Sequence, residues 1–164
     1  MARRSDASGS TPATVALRRS RVTYTAHAYT HEATITDYGA EAAAALGVAP
    51  DRVFKTLLAD ADGVFLVGIV PVSTRLDLKA LACVFGVKRA RMAEPALAER
   101  KTGYVVGGIS PIGQKTALTT VLDSTAMSLE SIFVSGGRRG LDIELAPADL
   151  LAVTGGILAP IAVR

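Results

Sequence analysis

The sequence predicts an α+β domain: a mixed, mostly antiparallel β-sheet or partly closed barrel, flanked by helices. Three observations carry that expectation. Helical and extended patterns alternate along the chain, with glycine or proline at the joints. Strand-like segments outnumber the helices that could serve as crossovers between parallel neighbours, which disfavours a doubly wound fold. And Asp62-Gly63 stands between two apolar runs, a strong hairpin signal.

Composition sets the frame. With 164 residues, 49% of them hydrophobic, the chain is long enough for one domain with a real core. No apolar run approaches the length that crosses a bilayer, so no membrane partner is expected. Residues 1–10 carry two arginines and no apolar stretch, so they read as a disordered leader, not a secretory signal, with the domain over residues 11–164. The single cysteine, Cys83, excludes an internal disulfide framework. Its apolar neighbours predict a buried structural thiol, and the expected compartment is the cytoplasm. A net charge of +3 permits an anionic partner without demanding one. With no tryptophan and 5% aromatic residues, extended base stacking on aromatic platforms is disfavoured.

The elements follow in order. Thr11-Pro12 caps and opens a short helix to Arg19. Residues 22–28 alternate as a half-buried strand does. Thr36 or Asp37 caps an alanine-rich helix that stops at Gly47. After a turn at Pro50-Asp51, residues 53–58 form an apolar strand with a lysine inside it, and residues 64–70 return from the hairpin. Amphipathic helices are predicted over residues 76–85 and 93–100, the second tolerating Pro95 in its first turn. A strand-like run, Tyr104-Val105-Val106, feeds a glycine-rich loop. Strands at residues 132–134 and 141–145 come next, and Pro147 opens a last helix ended by Gly155-Gly156.

Three segments have chemical potential. Lys55 sits between apolar neighbours, so its ammonium must reach water or face a polar cleft. Taken alone, a snorkelling surface lysine is the commoner outcome. The loop Gly107-Gly108-Ile109-Ser110-Pro111 brings backbone N–H groups within reach of a ligand, and Pro111 stiffens it. The turn Ser135-Gly136-Gly137-Arg138-Arg139-Gly140-Leu141-Asp142 adds two guanidiniums, suited to phosphate, and a carboxylate. Residues 108–116 fall one residue out of register with a phosphate-binding P-loop: Gln114 displaces Lys115, and no helix follows. His27 and His31 are four apart beside Glu32, but further ligands are missing, so they read as a polar rim and no metal is expected.

Phe54-Lys55-Thr56-Leu57, Pro71-Val72 with Leu76-Asp77-Leu78-Lys79, the stretch from Thr102 to Pro111, and the turn from Ser135 to Asp142 together resemble the YbaK family. These are single-domain relatives of the editing domain of bacterial prolyl-tRNA synthetases. The likeness runs from about Thr11 to Ile161 and is nearest the branch that deacylates cysteinyl-tRNA mischarged on tRNA-Pro. It implies cleavage of the ester between an amino acid and the tRNA 3′ end, by water or by the substrate's own thiol, with no cofactor. It implies that Lys55 is essential, that Gly107 and Gly108 contact the aminoacyl group through their backbone, and that Ser135 and Asp142 line the same pocket. Tyr29, Thr56, Ile109, Ser110, Pro111, Gly136, Gly137, Arg138 and Arg139 are the substrate-side positions it assigns. The implied partners are mischarged tRNA-Pro and prolyl-tRNA synthetase; monomer and weak dimer both stay open. A sister specificity such as Ala-tRNA-Pro, a non-catalytic tRNA- or synthetase-binding module, and a phosphate-ligand binder are the competing readings.

Overall fold

The computed structural model describes residues 10–164, so all of the expected leader except Ser10 lies outside the described residues. The elements, in order, are α1 (Pro12–Arg19), β1 (Thr25–Ala28), α2 (Tyr38–Leu46), β2 (Phe54–Ala61), β3 (Val64–Pro71), β4 (Arg75–Leu76), α3 (Leu78–Val84), β5 (Arg91–Met92) and α4 (Pro95–Thr102). Then come β6 (Thr119–Asp123), β7 (Ile132–Arg138), β8 (Leu141–Leu145), α5 (Pro147–Thr154), β9 (Ile157–Ala159) and β10 (Ala162–Val163).

Local chemistry explains most of the boundaries. Thr11 and Thr14 form a reciprocal capping box at the start of α1. Asp37 accepts the Ala40 N–H ahead of α2, and Gly47 ends that helix with a positive φ of 67°. Asp62 and Gly63, with φ of 52° and 91°, make the two-residue turn that sets β2 against β3 in one register from Ala61↔Val64 to Phe54↔Pro71.

Five strands form one sheet in the order β5-β2-β3-β6-β9, and three form another in the order β1-β8-β7. β4 and β10 pair apart from both. Pairing is antiparallel except for β3–β6 and β6–β9, so the sheet is mixed and mostly antiparallel, as expected. The two larger sheets meet at a parallel bridge between Val53 and Phe133, and the barrel does not close. β2 alternates between two cores, as a strand buried on both faces must. Phe54 and Leu58 join Val67, Ile69, Ile132, Val134 and Ile143, while Ala59 and Ala61 join Leu66, Leu81 and Ile161. Each large apolar side chain so buried contributes about 1.5–3 kcal/mol.

Four expectations need correction. Tyr104-Val105-Val106 is not a strand: Gly103 turns the chain out of α4, the Tyr104 hydroxyl donates to the Ile112 carbonyl at 2.6 Å, and the Val106 N–H donates to Glu99. Cys83 is exposed, because the face of α3 that meets the sheet is set by Leu78, Leu81, Ala82 and Phe85, and Cys83 falls outside it. The first strand begins at Thr25, not residue 22, where pairing to β8 begins. α3 starts at Leu78 after the Asp77 cap, since Arg75 and Leu76 pair with β10. The sequence also left β6 unassigned as a strand, although it sits between β3 and β9.

Candidate active site

The strand that holds Lys55 has an open edge. β5 pairs with β2 only at Ala59 and Asp60, and the bridge to β7 touches only Val53. Between these points residues 54–58 face a cavity of about 360 Å³. Lys55, Thr56 and Leu57 form one wall, and Ser135 and Asp142 come from the neighbouring sheet. The start of α2 contributes Asp37, Tyr38 and Gly39, and the glycine-rich loop contributes Val106, Gly107 and Ile109. Met92, Ala93, Pro95 and Ala98 make an apolar end. The Leu58 carbonyl accepts the Ala93 N–H across this edge, so by alternation the Thr56 peptide groups also point away from β3. The Thr56 hydroxyl oxygen is buried with no hydrogen-bond partner among the described residues.

The charged groups are held in unlike ways. Asp142 lies on β8, the middle strand of its sheet, opposite His27 on one side and Ser135 on the other. It is only 5% exposed, and burial pushes its carboxyl up to about 7. Burial lowers the Lys55 ammonium, and the charge of Asp37 opposes that shift. Lys55 therefore answers to Asp37, which the sequence marks only as a helix cap. The Tyr29 phenol is raised first by burial and then by the charges of Asp142 and Glu41, so it stays protonated as a donor.

The loop wall is backbone. Gly107 has a φ of 90°, and a Cβ there would lie 2.6 Å from Cε1 of Tyr38. The Gly108 N–H already donates to the Val105 carbonyl at 2.8 Å, which corrects the expectation of two adjacent free donors. Among the described residues, the Gly107 N–H is the one of the pair without a backbone acceptor. Gly108 is needed for fit, since a Cβ would come within 2.7 Å of the Arg138 Cα.

The remaining expected positions do not line the cavity. Ser110 and Pro111 are buried; the Ser110 hydroxyl accepts the Ile112 N–H and its carbonyl accepts the Gln114 amide. Gly136 packs on Leu141 and accepts the Thr11 hydroxyl at 2.6 Å, and Gly137 turns against Tyr104 and Thr11 while donating to Ser135. Arg138 donates to the Arg139 carbonyl. Arg139 ties the turn to the loop, with Nε donating to the Val106 carbonyl at 2.9 Å and its guanidinium over the Tyr38 ring.

Asp37 and Tyr38 are among the cavity residues that sequence reasoning missed; a cap at the mouth of a helix was the only signal for Asp37, and there was none for Tyr38. The histidines are paired, His27 with Glu144 and His31 with Glu41, and no metal-holding cluster exists among the described residues. Lys115 and Thr116 donate their backbone N–H groups to Thr102 and Lys101, so the near P-loop is a brace against α4.

Residues 32–153 match the model of the aminoacyl-tRNA editing domain. A protein of Enterococcus faecalis, named with an inferred Cys-tRNA(Pro)/Cys-tRNA(Cys) deacylase activity, is 40% identical over 123 residues, covering 74% of this chain and 75% of that protein. The proline–tRNA ligase of Moorella thermoacetica is 34% identical over 74 residues, which make up 13% of its length. A crystal structure described as an inferred trans-editing enzyme for prolyl-tRNA synthetase superimposes with a TM-score of 0.80 at 25% identity, covering 93% of this chain and 96% of that one.

Proposed function

The chain belongs to the aminoacyl-tRNA editing domain family, and from that premise we propose that it is a trans-acting deacylase for mischarged tRNA-Pro, with cysteine the amino acid it removes. The observation that carries this reading is the convergence of Lys55, Ser135, Asp142 and the Gly107 peptide on one cavity whose lining includes no histidine or cysteine. A protein nucleophile with its own base is hard to assemble from such a set. A thiol carried by the substrate needs only to be held in place.

Asp142 receives the α-ammonium of the aminoacyl group, and that charge offsets the burial that raises its carboxyl. Its alternative role, holding Lys55, is disfavoured because the charge that supports Lys55 is that of Asp37. Lys55 and the Gly107 N–H are donors for the carbonyl oxygen as it gains charge; one such donor is worth about 3–4 kcal/mol. The substrate sulfur then attacks its own carbonyl carbon. The S–C bond forms, the ester C–O bond breaks, and the thiol proton ends on the tRNA 3′-oxygen, leaving a thiolactone. The Thr56 hydroxyl, otherwise unpartnered, has a substrate group to meet. Selection of tRNA-Pro falls to prolyl-tRNA synthetase as partner.

The test is a deacylation panel with Cys-, Ser- and Ala-tRNA-Pro, run with and without the synthetase. Cys-tRNA-Pro should be cleaved fastest, with a thiolactone as first product, and Ser-tRNA-Pro far more slowly. Equal rates for the two would point to attack by water, with Asp142 as base. Survival of Cys-tRNA-Pro for as long as in buffer would leave only a binding module.

A further inference from the structure

We propose that Arg139 is a stacking platform for the 3′-terminal adenine of the aminoacylated tRNA, a role that rests on the deacylase reading above. Arg139 is exposed at the β7–β8 turn, where a long side chain would ordinarily sample many rotamers. Instead it is held at two points. Its Nε donates to the Val106 carbonyl at 2.9 Å, and its guanidinium carbon lies 5.0 Å from the centroid of the Tyr38 ring. Val106 and Tyr38 both line the cavity, so the guanidinium is braced at its rim.

The way it is held separates two ligand chemistries. A guanidinium that clamps a phosphate in a fork works best with its donors free in pairs. Here Nε is engaged by backbone, which spoils the side-on fork, and one flat face lies on Tyr38, which leaves the opposite face to a ligand. Flat guanidinium faces are surfaces on which unpaired bases stack. Tyr38 is less suited to that task, because the Gly107 backbone crowds its ring so closely that a Cβ could not fit. The order of contact is therefore Gly107 beside the ester, Tyr38 against Gly107, and Arg139 on Tyr38. One ribose beyond the scissile carbonyl, the base reaches that outer layer. Every mature tRNA ends in adenine, so the platform would add affinity without choosing among tRNAs.

The experiment compares two cysteinyl esters, one of adenosine and one of 1,4-anhydroribitol, which keeps the sugar and lacks the base. With Arg139→Lys and Arg139→Ala, KM for the adenosine ester should rise about tenfold, within the range for loss of one stacked base. The loss should be confined to the ester that carries the base. An equal loss on both esters would make Arg139 a brace for the loop, and a wild-type KM in Arg139→Lys would make it a point charge; either overturns the platform. Adenosine alone, titrated into the protein, gives a second measure: Arg139→Lys should bind it about tenfold more weakly, and equal binding would refute the proposal however the esters behave. Adenosine binding that depends on Arg139, without turnover of any ester, would keep the platform and sink the deacylase.

Discussion

The two walls of the cavity are built on different terms. The β2 wall is a regular strand, paired with β3 along its whole length and packed into a core on each face. The wall from Gly103 to Gly113 has no ladder. It keeps its shape through single contacts: Glu99 on the Val106 N–H, Gly108 on the Val105 carbonyl, Tyr104 on the Ile112 carbonyl, and Arg139 on the Val106 carbonyl. The first wall offers side chains, which can be cut away while the ladder stands. The second offers peptide groups, which are lost only when added atoms push the loop aside. Chemistry and stability are thus separable on one side of the cavity and tied together on the other.

Lys55→Ala is the sharpest way to break that contrast. It should lower kcat/KM on Cys-tRNA-Pro by about 10²–10³-fold. The melting temperature should hold or rise, since a half-buried ammonium disfavoured by burial is removed. Activity and stability falling together would erase the distinction between the walls.

Gly107→Ala tests the other side. Its φ of 90° and the crowding by Tyr38 strain any side chain there, at about 1–3 kcal/mol. Deacylation and thermal stability should both fall. A variant as stable as the wild type would show that the loop yields more easily than its contacts imply.

Asp142→Asn extends the test to a strand-borne side chain of the neighbouring sheet. A carboxyl raised to about 7 when folded, from an ordinary value near 3.8, holds its proton better in the folded state. The ligand-free protein is therefore favoured at low pH and loses that advantage as pH rises from about 4 to about 7. Replacement by Asn should raise the melting temperature more at pH 8 than at pH 5, while abolishing most activity. Wild-type kcat/KM should drop about tenfold per pH unit below about 7 as the carboxylate is lost, and a flat profile there would remove Asp142 from substrate binding.

Ser135→Ala should have the smallest effect. Its hydroxyl accepts the Gly137 N–H at 3.2 Å, a bond worth about 0.5–1.5 kcal/mol. A few-fold loss of activity with slight destabilisation is expected in a paired melt and deacylation assay; a loss as large as that of Lys55→Ala would move Ser135 into the chemical step.

Much of this was legible along the chain. The Asp62-Gly63 turn, the caps at Thr11 and Asp37, and the glycine stops at Gly47 and Gly155 act over a few residues, so local pattern finds them. The candidate groups were named through the family resemblance, because Lys55 taken alone reads as a snorkelling lysine and a glycine loop taken alone as a tight turn. Half of the residues named for the site nonetheless serve as its frame. A Gly-Gly or Arg-Arg pair does not say which member faces the ligand and which faces the neighbouring turn.

What the sequence determined by itself was the set of strands and helices with strong local signals, and a short list of candidate groups for the site, since turns, caps and alternation depend on neighbours in the chain. Only the tertiary structure decided that β2 keeps an open edge between Val53 and Leu58, that among the described residues Gly107 and not Gly108 lacks a backbone acceptor for its amide, that Asp37 supports Lys55, and that Cys83 faces outward. Each of those outcomes depends on what lies across the gap from a residue, and chain-distant partners such as Val53 with Phe133 meet only when the sheets come together.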